Sequence, residues 1–413
     1  MGHDRRRMNK DNSQKKSLAR VLYALGPGDV VGLCHDLLEH KAPAFQIGNA
    51  FSTQFLDWCD ASGAEAHLVS WHARRDSLQY GRYRVENLPK SPLYFDRGIR
   101  HHIGAALYGL KIVAMARRER PTVVIADSGT THWIVLALLP LFRIPVIAVL
   151  FNSLWPMGFP PTRRMDRLLR WFDGFFFRNV AAATVCMSPE CARQVLLLAP
   201  KPKGPLYQFR PQYRRGFLER AAPVPPHSAR PFRVLFLGRI EEFKGVFMIL
   251  DMAERLEKEM PGQFAWKIVG SGPALEELQC RVAEKNLGHI VEVPGRFASE
   301  QKALEAFGWA HAGIVPTTSK FIEGFAMTAA ESVLAGRPVV VSAAVPAWEV
   351  LGRAAIVAET DNVDSFVAAF KKLAIDPDYY AECQRATLAV QEHFYNAAEG
   401  LGQALGQAIT NLD

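Results

Sequence analysis

The most constraining feature of this sequence is a regular alternation of short apolar segments with longer segments of helical pattern. The alternation begins with RVLYAL at Arg20 and continues through AHLVSW, TVVIAD, PVIAVLF and AAATVCMS. It starts again at Arg233 with RVLFLG, AWKIVG, HIVEV, AGIVP and PVVVS. Alternation of this kind indicates β-α-β units, in which helices cover both faces of a parallel sheet. The sequence therefore predicts an α/β protein with two Rossmann-like, doubly wound parallel-sheet domains.

The two series of strands set the expected domain boundaries. Residues 20–218 form the N-terminal domain, residues 233–385 form the C-terminal domain, and the Pro- and Ala-rich segment 219–232 links them. Residues 386–413 have a helical pattern without a further strand. A chain of 413 residues with 49% hydrophobic and 22% charged residues is long enough for two cores. Ligands of open parallel sheets bind beyond the carboxyl ends of the strands, so the two domains should face each other across a cleft.

The first nineteen residues differ from the rest in charge. Seven basic and two acidic residues occur among the first twenty, and they account for more than half of the net charge of +8. We expect a disordered basic tail, which is either simply solvated or attracted to an anionic membrane. A nucleic-acid partner is not expected, because the basic residues are not interleaved with aromatic residues on a recognisable module.

The sequence favours a cytoplasmic location. Its six cysteines are scattered without a C-x-x-C pair, which is typical of reduced thiols, and no apolar run follows the basic start as it would in a signal peptide. The longest apolar stretch, Trp133 to Phe151, is interrupted by Pro140, Arg143 and Pro145. This stretch predicts a buried helix and a buried strand rather than a membrane span. Peripheral contact with the inner face of a membrane stays open.

One predicted helix, Arg163 to Val180, is both basic and amphipathic. At helical spacing Arg163, Arg167, Arg170 and Arg178 form one stripe. The second stripe is apolar and consists of Met165, Leu168, Leu169, Phe172, Phe175 and Phe176. Such a helix can cover a sheet or lie in a membrane interface.

The loop after the first strand of the C-terminal domain has the cations that a diphosphate site needs. Its sequence, GRIEEFKG, contains Gly238, Arg239 and Lys244. Arginine offers a planar fork of donors and lysine a point charge, so together they could hold a diphosphate. The next strand ends in GSGP, which lacks the third glycine of a dinucleotide fingerprint.

The segment EGFAMTAAES places two glutamates around a predicted helix start. Glu323 precedes the helix and Glu331 lies two turns inside it. Between them the backbone amides of Gly324 to Thr328 should point outward from the helix N-terminus, where a diphosphate is favoured. Carboxylate oxygens match the paired hydroxyls of sugars, so Glu331 could hold a ribose and Glu323 a transferred sugar.

The order of these motifs resembles that of one enzyme family. G-R-x4-K-G is followed by G-x-G-P, by P-G-R at Pro294 to Arg296, by E-G-F with a second glutamate eight positions on, and by G-R-P-V-V-V. This order is similar to that of the retaining nucleotide-sugar glycosyltransferases of glycosyltransferase family 4, which have the GT-B fold. The resemblance spans Arg233 to about Ala386, and the first half of the chain matches only in its rhythm of strands and helices.

The resemblance implies roles for individual residues. Arg239, Lys244 and Glu323 would be the catalytic group, with the two cations on the donor diphosphate and Glu323 on the sugar. Glu331 would bind the ribose. The other donor-binding residues would be Gly238, Gly270, Gly272, Arg296, Gly324, Phe325, Ala326, Met327 and Thr328, of which Gly270, Gly272 and Arg296 would line the nucleoside pocket. The sequence departs from the family at Ala326, where glycine is usual.

On the acceptor side the sequence gives three candidates for contact with the acceptor or the transferred sugar. The family's frequent histidine after the fourth strand is absent, and TVVIADSGTTHW offers Asp127 and His132 in that region. Gly28 lies in the loop GPGDVVG after the first strand, which either admits the acceptor or is only a tight turn. A hydrolase using Ser128 is not favoured, because no nucleophile elbow is present.

The function implied by the resemblance is retaining, metal-independent transfer of a hexose-type sugar to a glycan or lipid-linked glycan, in polysaccharide or glycolipid biosynthesis. The donor would be a UDP- or GDP-linked substrate, and no cofactor or metal is expected. The only D-x-D string, at Asp376 to Asp378, is expected to form a turn between helices. A sugar phosphorylase, or a nucleotide-sugar-binding protein without catalysis on the same scaffold, stays open as an alternative.

Overall fold

The computed structural model describes residues 19–38, 48 and 50–412, so residues 1–18 of the predicted tail lie outside the described part of the chain. The N-terminal sheet contains β1 (Arg20–Pro27), β2 (Glu65–Trp71), β3 (Asp76–Tyr80), β4 (Tyr83–Leu88), β5 (Val123–Asp127), β6 (Val146–Leu150), β7 (Ala181–Cys186) and β8 (Leu206–Gln208). Its helices are α1 (Val30–Leu38), α2 (Phe51–Ser62), α3 (Ile99–Glu119), α4 (Trp133–Leu136), α5 (Arg164–Asn179) and α6 (Pro189–Leu198).

The C-terminal sheet contains β9 (Phe232–Leu237), β10 (Phe264–Val269), β11 (Val291–Gly295), β12 (Ala312–Val315), β13 (Val339–Ser342) and β14 (Ala355–Ala358). The remaining helices are α7 (Val246–Glu259), α8 (Leu275–Glu284), α9 (Glu300–Trp309), α10 (Met327–Leu334), α11 (Trp348–Leu351), α12 (Val363–Ile375), α13 (Pro377–Val390) and α14 (Leu401–Thr410).

Both sheets have the crossover order of doubly wound folds, which confirms the predicted fold class. The first sheet runs β3-β4-β2-β1-β5-β6-β7-β8 and the second β11-β10-β9-β12-β13-β14. In both, the first strand of the domain lies inside the sheet and its neighbours are added on either side. The carboxyl ends of the parallel strands therefore meet at one edge of each sheet, where loops can form a site.

One edge of the otherwise parallel N-terminal sheet is antiparallel. β3 and β4 form an antiparallel hairpin, in which Tyr80 pairs with Tyr83 across a turn that contains Gly81 at a φ of 53°. Because β3 is an edge strand with mostly exposed side chains, it lacks the apolar run by which the other strands are recognised. The short strands β8 and β14 were likewise not predicted.

The N-terminal sheet is covered on both faces, as such a sheet must be. On one face α3, α4, α5 and α6 bury side chains such as Ile112, Trp133, Phe176 and Val195. The other face packs against α2 and α14, including Phe55. Burying one such side chain stabilises the fold by roughly 1.5–3 kcal/mol, so these layers hold the strands that position the site.

The end of the chain returns to the N-terminal domain. α14 packs on α2, and Leu401 and Leu405 are fully buried in the same cluster as Phe55. Gly402 permits this contact, because a Cβ atom there would lie 2.6 Å from the Gln54 carbonyl oxygen. The predicted helical segment 386–413 thus includes the last turn of α13 and a helix that belongs structurally to the first domain.

In the described residues no helix is both long enough and apolar enough to cross a bilayer. The stretch from Trp133 to Phe151 instead forms α4, a short 3-10 turn at Leu139–Phe142 and the strand β6. The strand is buried as predicted, whereas Leu138, Leu141 and Phe142 are exposed.

Candidate functional site

A cavity of about 350 Å³ lies at the carboxyl edge of the C-terminal sheet and is shared by the two domains. From the C-terminal domain it is lined by most of the predicted donor residues, namely Gly238, Arg239, Lys244, Glu323, Gly324, Phe325, Ala326, Met327 and Thr328. From the N-terminal domain it is lined by Phe151, Asn152 and Met187, which follow β6 and β7. The fold therefore brings together residues that are up to 177 positions apart in the sequence, from Phe151 to Thr328.

The loop after β9 places Lys244 in this cavity by means of a tight turn. The 3-10 turn Glu242–Lys244 ends at Gly245, which adopts a φ of 76° at the start of α7. A Cβ atom at Gly245 would lie 2.1 Å from the Pro316 carbonyl oxygen. Only glycine fits there, so this residue fixes the approach of the loop after β9 to the loop after β12.

Lys244 and Glu323 form a buried ion pair at the centre of the cavity. The Nζ atom of Lys244 donates to Oε1 of Glu323, and the Thr317 hydroxyl donates to the same oxygen at 3.1 Å. The ammonium also lies 3.9 Å from the centroid of the Phe321 ring. Because an ammonium has three donors, Lys244 can hold Glu323 and still donate to an anion.

Arg239 lies on the more open side of the same site. Its side chain is 59% exposed, and Nη1 donates to Glu241 at 2.9 Å. The guanidinium carbon lies within 6 Å of the centroids of both Phe243 and Phe321, whose rings stack 4.8 Å apart. One edge of the guanidinium is thus paired within the loop, and its other donors are available to a ligand.

The start of α10 supplies a run of unpaired backbone donors. No backbone N–H from Gly324 to Thr328 has a hydrogen-bond acceptor among the described residues, and all five residues line the cavity. Ala326, the residue just before the helix, adopts a φ of 73°, a region that costs a non-glycine residue about 1–2 kcal/mol. The site therefore combines free N–H groups and a helix N-terminus with two nearby cations, which suits a diphosphate.

The N-terminal domain contacts the donor loop directly. The Glu323 carbonyl accepts hydrogen bonds from the Ser153 hydroxyl at 2.7 Å and from the Ser153 amide at 3.3 Å. The next residue has to be glycine, because a Cβ atom at Gly324 would lie 1.6 Å from the Phe151 carbonyl oxygen. The conformation of this loop is thus set by both domains.

Glu331 lies on the same face of α10 as Met327 and Thr328, one turn further along. It is only 7% exposed, and no hydrogen bond or ion pair of its carboxylate occurs in the described structure. Burial raises the pKa of this carboxyl from 4.5 to about 7. A buried acceptor without a partner fits the predicted contact with a pair of hydroxyls, since a ligand would satisfy it.

Gly270, Gly272 and Arg296 do not line the 350 Å³ cavity. The two glycines are required by neighbouring backbone rather than by an approaching ligand. A Cβ atom would lie 1.7 Å from the Gly238 carbonyl oxygen at Gly270 and 2.3 Å from the Ile240 carbonyl oxygen at Gly272. Arg296 is exposed just after β11. Gly270 and Gly272 follow β10 and Arg296 follows β11, and both strands lie on the same side of β9 in the sheet. Contact of these three residues with a nucleoside stays a prediction.

A second cavity, of about 500 Å³, lies on the N-terminal side and shares Phe151, Asn152 and Met187 with the first. Gly28 and Asp127 both line it, as predicted for residues that border the cleft. Asp127 is 5% exposed; its Oδ2 accepts from the Gly26 amide at 3.0 Å, and the buried Tyr23 hydroxyl lies close to the same carboxyl. Burial raises the pKa of this carboxyl to about 7.

Two neighbours of Asp127, His132 and Ser128, make local contacts, and Ser128 also lines the 500 Å³ cavity. His132 lines neither cavity, and its Nε2 lies 3.1 Å from Nδ1 of His102. Burial and the nearby His102 lower the pKa of His132 to about 4. The Ser128 hydroxyl accepts from the amides of Phe151 and Asn152, so it positions the loop after β6 and has no histidine partner.

The D-x-D string forms the predicted turn. Asp376 ends α12 and caps α13, with its carboxylate accepting from the Tyr379 amide at 2.9 Å. Within the described residues no group of three or more His, Cys, Asp or Glu side chains is arranged to hold a metal ion.

Sequence reasoning missed the residues that come from the facing domain. Phe151, Asn152 and Ser153 follow the buried strand β6, and that position is the one signal that could have marked them as candidates. Thr317 was missed because a lone threonine after a strand has no distinctive pattern. Its contact with Glu323 depends on how the loop after β12 folds back.

We predict that Glu331→Gln stabilises the protein at high pH. Because the folded-state pKa is raised, the stabilisation from protonated Glu331 is complete below about pH 4.5 and is lost as the pH rises through about 7. The variant should unfold with a free energy higher by roughly 1–3 kcal/mol at pH 8, and equal to wild type below pH 4.5.

Urea unfolding across this pH range measures the difference. Glu284→Gln, at an exposed carboxylate at the end of α8, should stay within about 0.5 kcal/mol of wild type. A constant difference for Glu331→Gln at all pH values would contradict the raised pKa.

The comparisons with known proteins find a family match for part of the chain. Residues 219–389 match the family model of glycosyl transferases group 1. No curated protein matches the chain significantly.

Solved structures of similar fold cover nearly the whole chain. Sucrose-phosphate synthase from Thermosynechococcus elongatus has a TM-score of 0.69 at 17% identity, covering 95% of this chain and 99% of its own. Anabaena HepE in complex with UDP and glucose has a TM-score of 0.64 at 15% identity, with coverage of 95% and 99%. The UDP-forming α,α-trehalose-phosphate synthase from Burkholderia vietnamiensis has a TM-score of 0.69 at 12% identity, with coverage of 95% and 100%. At these identities the likeness establishes the fold: the chain has the GT-B fold, and its residues 219–389 are similar to glycosyl transferases group 1.

Proposed function

We propose that the protein is a retaining glycosyltransferase that moves a hexose-type sugar from a UDP- or GDP-linked donor to a glycan or lipid-linked glycan. The observation that carries the proposal is the run of unpaired N–H groups from Gly324 to Thr328, which shares one cavity with Arg239 and Lys244. Further support comes from the family match and from a structural neighbour that was solved with UDP and glucose. Biosynthesis of a polysaccharide or glycolipid would use such a reaction.

In this proposal the donor lies along the edge of the C-terminal sheet. Its diphosphate accepts from the amides at the start of α10 and from Arg239 and Lys244. Glu331, one turn into the helix, accepts from the ribose hydroxyls. Glu323, held by Lys244 and Thr317, turns its remaining acceptor positions to hydroxyls of the sugar.

Transfer with retention does not require a protein base. The acceptor hydroxyl attacks on the face from which the nucleotide departs, and an oxygen of the leaving diphosphate takes its proton. The bond from the sugar carbon to the diphosphate breaks as the bond to the acceptor oxygen forms. The protein has to stabilise the charge that develops on the leaving diphosphate, and Arg239 and Lys244 would do this without a metal ion.

The acceptor is proposed to enter through the 500 Å³ cavity, which meets the donor cavity at Phe151, Asn152 and Met187. Asp127 is the favoured contact, because it ends β5 and lines the wall of this cavity. Gly28 lies in the same wall, and no atom lies within 4 Å of a Cβ built there, so the wall is open at that point.

A cytoplasmic site of action fits the thiol chemistry. All six cysteines are free, and five of them are buried. Unpaired thiols are typical of a reducing compartment.

We predict that one class of nucleotide sugar stabilises the full-length protein against thermal unfolding. A donor at a hundred times its dissociation constant adds about 2.7 kcal/mol to the free energy of unfolding.

Lys244→Ala and Arg239→Ala should each lower kcat by about 10²- to 10³-fold, because each removes a preorganised charge from the transition state.

Lys302→Ala provides the control, since Lys302 is an exposed cation on α9. If no UDP- or GDP-linked sugar raises the melting temperature, the donor assignment is wrong. Sugar release that depends on orthophosphate would instead identify a phosphorylase.

We predict that Asp127→Asn lowers kcat/KM for the acceptor at least about tenfold while donor binding is kept. The loss should lie mainly in acceptor use, because Asp127 lines the acceptor cavity and not the donor cavity. His132→Ala should have the smaller effect. Unchanged turnover in both variants would remove this region from the account of catalysis.

We predict that EDTA leaves transfer activity unchanged, because Arg239 and Lys244 supply the positive charge at the diphosphate. The assay compares initial rates before and after dialysis against the chelator. An activity that is lost and then restored by a divalent cation would contradict this.

A further inference from the structure

The outer layer of the N-terminal domain exposes an unusual amount of apolar surface. α3, α4, α5 and α6 lie side by side on one face of the sheet and bury their inner sides in a common cluster. Thirteen of the twenty exposed large apolar side chains in the described residues lie on the outer side of this layer or in the short turn after α4. The helices of the C-terminal domain have only scattered ones, so exposure on this scale belongs to one surface and not to the whole molecule.

On α3 the exposed apolar side chains form a stripe. Ile99, Ile103, Leu107 and Leu110 follow one another at helical spacing and are 41–72% exposed. The turn after α4 adds Leu141, which is 75% exposed. The inner side of α3 already packs on the sheet, so packing within the domain does not account for a second apolar side. An exposed apolar side of this kind indicates that a partner covers it.

On α5 the structure resolves the two interpretations of the amphipathic pattern. Phe176 is fully buried against the sheet, so the helix does cover the domain. The stripe assigned from the sequence is nevertheless divided, since Met165, Leu168 and Phe175 are 42–54% exposed. Trp171, which was not part of that stripe, is 64% exposed. This helix therefore has a sheet-facing apolar side in its last turns and a separate outward one.

The charges of this layer are almost all of one sign. Between residues 99 and 198, eleven of the twelve Arg and Lys side chains are exposed, and none of the five Asp and Glu side chains is. Asp173, for example, is buried and paired with Arg170 at 2.8 Å. Arg100, Arg118 and Arg193 also have carboxylate partners. The outer surface thus combines exposed apolar groups with an excess of positive charge, the composition of a surface that binds an anionic bilayer.

A pocket in this surface has the lining that a lipid phosphate needs. It lies between α5 and α6, measures about 400 Å³, and is lined by Arg167, Arg170, Arg178, Trp171, Phe175 and Leu197 among others. Of the three arginines, Arg170 pairs with Asp173 and Arg178 donates to the Leu198 carbonyl at 3.3 Å. Guanidinium groups bind phosphate in a fork geometry, and the apolar rim matches the glycerol and acyl region of a lipid.

We propose that the outer surface of α3, α4, α5 and α6 docks on a bilayer of anionic phospholipid, with a lipid phosphate in the pocket between α5 and α6. The basic residues 1–20 are an unsuitable cover for this surface because they have the same sign of charge. The inference does not depend on sugar transfer. It would place the molecule on a membrane whether or not the chain is an enzyme.

Sedimentation of the full-length protein with vesicles tests the proposal. Vesicles of phosphatidylcholine with phosphatidylglycerol should bind the protein at low salt, and vesicles of phosphatidylcholine alone should bind it weakly. The double variant Arg167→Ala/Arg178→Ala and the double variant Trp171→Ser/Phe175→Ser should each weaken binding about tenfold or more. Both sets of side chains are at least partly exposed, so the variants should keep the wild-type melting temperature.

Two controls separate this surface from other sources of binding. Arg281→Ala/Ile375→Ser removes an exposed cation and an exposed apolar group from the C-terminal domain and should bind as wild type does. A second control is full-length protein in which Arg5, Arg6, Arg7, Lys10, Lys15 and Lys16 are changed to Gln. Its binding to anionic vesicles should still be weakened by the substitutions at Arg167 and Trp171.

Several outcomes overturn the proposal. Equal binding to both kinds of vesicle, or no binding to either, rules out an anionic bilayer as the partner. If vesicle binding is lost when residues 5–16 are changed and is unaffected by the α5 variants, the basic tail is the part that binds the membrane. Self-association that Trp171→Ser/Phe175→Ser abolishes would show that this surface is an interface between two copies of the chain.

Discussion

The candidate site depends on one local constraint, the way in which the chain enters α10. From Gly324 to Thr328 the backbone turns into the helix without giving its N–H groups any acceptor in the described structure. Unpaired donors in a largely buried place are unfavourable, and Ala326 adds backbone strain at a φ of 73°. Such a segment is costly in an empty site and becomes favourable when an anion is bound. Lys244 and Arg239 reinforce this preference, since both lie in the same cavity.

The candidate site also depends on contacts with the N-terminal domain. Glu323 is held through its carboxylate by Lys244 and Thr317 of its own domain, and through its carbonyl by Ser153 of the other. Gly324 lies against the Phe151 carbonyl so closely that no side chain would fit. The proposed sugar site therefore exists in this form only where the domains meet, and a change in their contact would alter the loop that holds the sugar. The two adjoining cavities meet at this same place, which gives donor and acceptor a common boundary.

Much of this arrangement could be predicted from the sequence, for physical reasons. Buried parallel strands are apolar throughout, so the rhythm of strands and helices was visible, and Arg239, Lys244 and Glu323 were found because cations and carboxylates after strands lie at one edge of the sheet. Contacts between residues that are distant in the sequence could not be predicted. The lack of side chains at Gly270 and Gly272 suggested room for a ligand, but the sequence did not show that these positions also accommodate the carbonyls of Gly238 and Ile240.

Prediction was also limited where one sequence pattern is compatible with two structures. The stripe on α5 was consistent with packing and with a membrane, and only the exposure of Trp171 and Phe175 beside the burial of Phe176 showed that the helix has both a buried and an exposed apolar side. The exposed edge strand β3 had too few apolar residues to be recognised. Asp127 and His132 were both candidates for contact with the acceptor or the sugar, and the fold places the first in the cleft and the second beside His102.

The most direct measurement is a crystal structure of the protein with the nucleoside diphosphate of its donor bound. The account predicts that the diphosphate oxygens lie within hydrogen-bond distance of the amides between Gly324 and Thr328 and of the side chains of Lys244 and Arg239. A nucleotide bound elsewhere, with this cavity closed by side chains or occupied only by water, would contradict the central claim.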